Sequence, residues 1–323
     1  MKQKLLSGVK PTGRPHLGNY FGAMKQFVDL QNQYESYIFI ADLHALTTLK
    51  NPAELRENIV NQYFDYLAIG LNPKKTKIFK QSDIPEVTEL AWIFSCITSV
   101  PYLMRAHAFK DAENKNKEIN AGVFNYPVLM AADILISDAN LVPVGKDQKQ
   151  HIEIARDIAS KFNQTYGETF AEPKELILES VETVPGTDGQ KMSKSYNNTI
   201  GLFAEDDEII KAVMSIPTDS ALVSDSKNPD ESILYKIHSL VLDDASKIEL
   251  RNKFINGGLG YKEAKENLIK DLILFIKPLR DRRNELLKSK NKLIKQLEKN
   301  GKIMKKIVHK KMLDVRAKVG ISI

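Results

Sequence analysis

Short runs of branched and aromatic residues alternate with longer helix-periodic segments through the first half of this 323-residue chain, and that alternation restricts the fold more than any other feature. Leu5-Leu6-Ser7-Gly8-Val9 has a buried-strand pattern and ends in the Gly/Pro-rich Lys10-Pro11-Thr12-Gly13-Arg14-Pro15. A helix pattern follows over residues 19–33, and Tyr37-Ile38-Phe39-Ile40 is the next strand. Pro52 opens a helix that Gly70 stops. Lys77-Ile78-Phe79 reads as a third strand, followed by a helix over 86–97. Pro127 to Ile136 reads as a helix, and Leu141-Val142-Pro143-Val144 as a short strand. A helix over 147–162 carries Ile152, Ala155, Ala159 and Phe162 at three- and four-residue steps. This rhythm predicts an α/β fold with a parallel sheet and helices on its faces. Beyond residue 195 the strand signal fades, and 205–214, 233–242, 262–276 and much of 280–318 read as helix. The expected organisation is a Rossmann-like parallel-sheet domain over 1–195 and an all-α helical domain over 196–323.

The composition, 42% apolar and 27% charged, is that of an ordinary globular protein. No window approaches the roughly 18 uninterrupted apolar residues of a membrane span. The start, Met1-Lys2-Gln3-Lys4-Leu5-Leu6-Ser7-Gly8, has too short an apolar core for a signal peptide. The single cysteine, Cys96, excludes an internal disulfide framework, and its neighbours Ile93, Phe94 and Ile97 predict a buried apolar role. A reducing, cytoplasmic location is the expectation.

The net charge of +6 is unevenly spread. Residues 277–323 carry a net charge of +12 and the rest of the chain −6. Clusters such as Arg280-Asp281-Arg282-Arg283 and Lys305-Lys306 fit a nucleic-acid footprint, and equally a solvated helix face.

Two motifs carry phosphate chemistry. Lys191-Met192-Ser193-Lys194-Ser195 puts two ammonium groups and two hydroxyls after Pro185-Gly186-Thr187-Asp188-Gly189-Gln190, whose proline and glycines predict a loop. Closely spaced cations on a loop suit a polyphosphate that must be gripped and released. His16-Leu17-Gly18-Asn19 follows the first strand and opens a helix, where open parallel sheets bind ligands. Gly18 allows close backbone approach, and the helix start offers unpaired N–H groups to an anion. Taken singly, His16 reads as well as a turn histidine and Asn19 as a helix cap.

Together these motifs resemble the class I aminoacyl-tRNA synthetases. That family has a His-Ile-Gly-His motif after its first strand and a Lys-Met-Ser-Lys-Ser loop after its last. Residues 191–195 match the second letter for letter; in the first, Leu17 replaces Ile and Asn19 the second His, a variant of the tryptophanyl branch. Further blocks are similar to the bacterial tryptophanyl branch: Ser7–Gly13, Gly18-Asn19-Tyr20, Ala41-Asp42-Leu43-His44-Ala45, Tyr126–Leu135 and Val142–His151. Lys10 departs from the Gln of many members.

The residues of these blocks describe a pocket. Met130 and Asp133 are three apart on one helix and share a face, with Tyr126 near the same side. Val142 and Val144 alternate onto one face of a strand. Met and Val walls with one carboxylate form a largely apolar pocket with a single polar anchor. An ionised Asp133 accepts from an indole N–H in a charge-assisted bond; a structural Asp paired with a lysine is the alternative.

The resemblance implies more. Gln148 would hold the α-ammonium of L-tryptophan, Gly8 would line its pocket, and His44 would lie beside its carboxylate, a core histidine being the other reading. Gly145, Lys146 and Asp147 would contact ATP, Asp147 near the ribose. Val184 would pack near the adenine, and Lys10, Pro11 and Thr12 would join the ATP site. Lys191 and Lys194 would bind the β- and γ-phosphates within a loop that includes Met192, Ser193 and Ser195. His16, Gly18 and Asn19 would hold the α-phosphate region.

The implied reaction has two steps. Tryptophan is activated by Mg2+-bound ATP to an adenylate plus pyrophosphate, and is then transferred to tRNA(Trp). The helical domain would bind the tRNA and its anticodon, and the family implies a homodimer. Competing expectations are a tyrosyl-specific synthetase, a small-molecule nucleotidyltransferase and a non-catalytic tRNA-binding relative.

Overall fold

A computed structural model describes residues 2–106, 109, 119–145, 149–176 and 183–322. Five parallel strands, β1 (Lys4–Val9), β2 (Glu35–Ile40), β3 (Lys77–Lys80), β4 (Leu141–Pro143) and β5 (Lys174–Leu176), form one sheet in the order β3-β2-β1-β4-β5. The expected parallel, Rossmann-like sheet is present, with β5 added. Lys174-Glu175-Leu176 is a short edge segment with two charges, so no apolar run announces it. The inner strands are apolar because helices cover both faces: Leu5, Ile38, Ile40 and Ile78 are wholly buried. From β1 the chain builds outward through β2 and β3, then returns to the other side of β1 with β4. Ligands bind parallel sheets at the carboxyl ends of the strands flanking such a reversal. Gly8 and Lys10 of β1 and its exit, and Val144 and Gly145 after β4, stand at those ends.

The helices of the first half follow their caps. In α1 (Pro52–Ala68), Asn51 Oδ1 accepts from the backbone N–H groups of Ala53 and Glu54. In α2 (Glu86–Ile97), Val87, Leu90, Ile93 and Phe94 face inward. Trp92 and Cys96, four apart, therefore share the outer face, and Cys96 is exposed. The expected buried role for the thiol was wrong: apolar neighbours in sequence are not neighbours on a helix face. α3 (Ala121–Ile136) starts well before Pro127, with Asn120 Oδ1 accepting from Val123 N–H at 3.0 Å. Pro127 is interior there, held by the buried run Val128, Ala131 and Ala132. α4 (Lys149–Tyr166) completes this set.

Two compact units partition the chain. The first comprises Met1–Gly13, Phe27–Leu178 and Ser289–Ile323, and the second Arg14–Gln26 and Glu179–Lys288. This is not a single cut at residue 196, because each unit takes a piece from the far end of the chain. The second unit holds α5 (Asp206–Met214), α6 (Ile233–Ser239), α7 (Asp244–Asn256) and α8 (Tyr261–Lys288). α7 buries only Leu250 and Phe254, too narrow a stripe to read as helix. α8 runs through Pro278, where a break was expected. Leu272, Ile276 and Arg280 are buried on both sides of the proline, and their packing outweighs the roughly 3 kcal/mol a mid-helix proline costs. The break falls instead at Ser289.

The last helix, α9 (Lys290–Val319), belongs to the first unit. Met304, Val308, Met312 and Val315 recur at three- and four-residue steps and join the core that holds Phe94 and Phe162. Arg316 closes on Glu89 at 2.7 and 2.5 Å, holding that carboxyl below the usual range, and Lys311 reaches Asp138 at 2.7 Å. Gly301 lets α9 approach the turn Gln81–Asp83, where an added Cβ would lie 2.4 Å from Asp83 Oδ2. Asp83 cannot swing away cheaply, since it accepts from Lys80 N–H and pairs with Lys80 Nζ. Gly301→Ala is expected to lower stability by about 1–3 kcal/mol despite alanine's better helix propensity, read as a lower melting temperature. No helix among the described residues is long and apolar enough to cross a membrane.

Candidate functional site

The Lys191–Ser195 segment is built as an anchored turn in the second unit. Pro185 and Lys191 form an antiparallel bridge, and Met192 N–H donates to Val184 O at 3.0 Å. Asn198, buried, ties the turn from inside. Its Oδ1 accepts from Ser193 N–H at 2.8 Å, and its Nδ2 donates to Asp188 Oδ1 and Lys191 O at 2.7 and 3.2 Å. Gly186 lies so close to Asn198 that a Cβ would fall 2.2 Å from its side chain. Sequence reasoning missed Asn198; the Gly186 and Asp188 it contacts were visible only as loop formers. Ser193 Oγ caps the short Lys194–Tyr196 turn. The outcome is a division of labour: Met192 and Val184 are buried, while Lys191, Lys194 and Ser195 are exposed.

The same unit carries His16–Asn19. His16 pairs with Gly201, Leu17 N–H donates to Ile200 O, and Leu202 N–H donates to Pro15 O. His16, not Asn19, is the cap of the helix start Leu17–Asn19; Asn19 reaches back, its Oδ1 accepting from His16 N–H at 3.1 Å. The chain then passes through a π-helical turn, Tyr20–Met24, and ends its helix at Leu30. Such turns cluster at functional sites. Gly18 N–H meets Met192 Sδ at 3.3 Å, and a Cβ on Gly18 would strike the His16 ring at 2.9 Å and Met192 Cβ at 3.3 Å. The two motifs, some 170 residues apart in sequence, thus converge through Gly18 and Met192.

His16 is buried, and its pKa falls from 6.5 to about 4, first because burial penalises the cation and second because Lys194 repels it. The ring is therefore neutral at pH 7. In the unfolded chain it takes a proton near pH 6.5, so the unfolded state binds more protons below that pH. Stability is expected to be full above pH 6.5 and to fall as pH drops toward 4. Melting curves of the parent and of His16→Asn across that window check this; the variant should lose less.

In the first unit, Asp133 is buried among apolar residues, as the sequence indicated, and is paired with groups the sequence did not indicate. His44 Nε2 lies 2.9 Å from Asp133 Oδ2, and Gln81 Nε2 donates to Oδ1 and Oδ2, each at 2.9 Å. Burial pushes the Asp133 carboxyl above the usual range, and the His44 and Gln81 bonds pull it part of the way back. Gln81 sits in an unremarkable turn after β3, and no local pattern marks it. Tyr126 stands edge-on to His44 at 6.2 Å between ring centroids, and its hydroxyl lies 2.9 Å from His151 Nε2. Met130 and Val144 pack against the core, and Val142 is within it. Phe39 lies over Gly8, where a Cβ would meet its ring at 2.5 Å.

Lys10 Nζ lies 5.5 Å from the Tyr126 ring centre, and burial lowers its pKa. Pro11 is buried and Thr12 exposed beside it, while Gly145 is half-buried after β4. Lys146, Asp147 and Gln148 lie outside the described residues. Part of the expected basic footprint is structural. Arg280 is buried, donating to Ala204 O and to Asp206 Oδ1 at 2.7 Å, and buried Arg283 lies over the Phe203 ring. On α9, by contrast, Lys292, Lys295, Lys299, Lys302, Lys305 and Lys306 are exposed.

A family profile described as tRNA synthetases class I (W and Y) matches residues 1–277. The tryptophan–tRNA ligase of Fusobacterium nucleatum subsp. nucleatum is 49% identical over 320 residues, covering 99% of this chain and 98% of that one. The crystal structure of tryptophanyl-tRNA synthetase from Campylobacter jejuni complexed with ADP and tryptophane has a TM-score of 0.91 at 42% identity, covering 98% of this chain and 100% of that one. The Mycoplasma pneumoniae tryptophanyl-tRNA synthetase structure has a TM-score of 0.84 at 25% identity, covering 100% and 99%.

Proposed function

The chain belongs to the class I tRNA synthetases of the W and Y type, and from that premise we infer that it joins L-tryptophan to tRNA(Trp) at the expense of ATP. The observation that carries this reading is the seating of Met192 against Gly18, which unites the two phosphate-binding motifs in one unit.

In the first step the tryptophan carboxylate attacks the α-phosphorus of ATP, forming the mixed anhydride with AMP and releasing pyrophosphate. Mg2+ enters with the ATP. The carboxylate is already ionised at neutral pH, so the chain need not supply a base; positioning and charge stabilisation do the work. Lys191 and Lys194 hold the β- and γ-phosphates and neutralise the charge that grows on the leaving pyrophosphate. The Gly18 backbone, with His16 and Asn19, holds the α-phosphate region. Neutral His16 adds a donor without adding a second fixed cation beside Lys194. Ser193 and Ser195 supply hydroxyls, Val184 packs on the adenine, and Lys10, Pro11, Thr12, Gly145, Lys146 and Asp147 complete the nucleotide contacts.

The indole lies against Gly8, Met130, Val142 and Val144, and Asp133 accepts its N–H. Tyr126, Gln148 and His44 face the polar end of the amino acid, with His44 bonded to Asp133. In the second step a terminal ribose hydroxyl of the tRNA displaces AMP from the adenylate. Residues 196–323 bind the tRNA, and the exposed lysines of α9 contact its phosphates. Exposed Trp92, Val100 and Met104 suit burial against a second copy in a cytoplasmic homodimer. Charging bacterial tRNA with labelled tryptophan tests the transfer half: ATP-dependent tryptophanyl-tRNA is expected, and intact adenylate formation without charging would sink it.

A further inference from the structure

Asp133 can accept an indole N–H only if its carboxylate stays an acceptor and keeps one oxygen turned toward the substrate. The contacts of Gln81 among the described residues bear on both conditions. Gln81 is 1% exposed, so its amide must find partners within the protein. Its Oε1 accepts from the backbone N–H groups of Leu43 at 3.1 Å and His44 at 3.2 Å. Those two donors fix the orientation of the amide, because a flipped Gln81 would point N–H at N–H. Its NH2 group must then face Asp133, where it lies 2.9 Å from each oxygen. His44 Nε2 takes a further position on Oδ2 alone, at 2.9 Å. Oδ2 therefore carries two contacts and Oδ1 one, so Oδ1 keeps acceptor capacity. The cavity beside the pair, lined in part by Leu6, Phe39, Met304 and Val308, measures about 10 Å³. That is about the smallest space that holds a single water.

We propose that Gln81 is a positioning residue for amino-acid selection: it orients Asp133 so that Oδ1 receives the substrate's ring N–H. The inference rests on the reading that Asp133 is the indole acceptor. Gln81 acts through Asp133 and touches no substrate atom. It favours a ring whose one polar group is a donor, since a carboxylate held by the Gln81 amide offers a further partner only an acceptor.

Pyrophosphate exchange with the full chain tests this, using L-tryptophan and its benzothiophene analogue, in which sulfur replaces the N–H. The parent should prefer tryptophan by about 10²-fold or more in kcat/KM, because a site built for a donor rejects an isostere lacking one. Gln81→Met should reduce that preference at least tenfold, mainly through the KM for tryptophan, with the KM for ATP unchanged. A purely structural role would weaken both substrates alike and leave the ratio in place. A ratio within threefold of the parent's in a variant that melts cooperatively would overturn the proposal. If Gln81→Met does not melt cooperatively, Gln81→Asn decides on the same criterion, since its shorter amide cannot reach Asp133 and both backbone N–H groups together. No discrimination in the parent would instead defeat the Asp133 reading itself, a result visible before any variant is made.

Discussion

Lys194→Ala is expected to slow tryptophan-dependent pyrophosphate exchange by roughly 10²–10³-fold, the loss seen when one preorganised charge-stabilising donor is removed. Lys194 is exposed, at the start of the short Lys194–Tyr196 turn, and its charge helps hold the His16 imidazole neutral. It sits on a scaffold that does not depend on it: Met192 fills the interior and Asn198 ties the turn. The melting temperature should therefore stay that of the parent, as for most exposed side chains. The loss should appear in kcat more than in the KM for tryptophan, because the charge is needed most as pyrophosphate departs. Exchange within threefold of the parent's would show that Lys194 has no part in the chemistry.

Asp133→Ala should lower kcat/KM for tryptophan by about 10- to 150-fold, the range for losing a hydrogen bond to a charged group at about 1.5–3 kcal/mol. The loss should fall on tryptophan and spare ATP. Stability should drop as well, because His44 Nε2 and the Gln81 amide would face a buried void without an acceptor. Unchanged affinity for tryptophan, measured by exchange kinetics or calorimetry, would remove Asp133 from the binding site.

The sheet was legible in the sequence because buried parallel strands are written as apolar runs. Where the run is absent, as in Lys174-Glu175-Leu176, so was the prediction. Prolines misled in both directions. Pro52 does open its helix, whereas Pro127 and Pro278 lie inside theirs, where buried neighbours compensate for the missing N–H. The Lys191–Ser195 and His16–Asn19 motifs stood out because their chemistry is concentrated in a few adjacent residues. Asp133 stood out as a carboxylate in an apolar helix. Gln81 and Asn198 did not, because each acts through partners distant in the chain or hidden by loop residues. The basic tail divided only in three dimensions: Arg280 and Arg283 went inward, Lys311 docked on Asp138, and Lys292, Lys295, Lys299, Lys302, Lys305 and Lys306 went outward.

The most direct measurement is pyrophosphate exchange into ATP with each of the twenty amino acids supplied singly. The chain should support exchange with tryptophan and leave tyrosine at background. Exchange with tyrosine and none with tryptophan would contradict the assigned specificity, and exchange with none of them would contradict the enzyme itself.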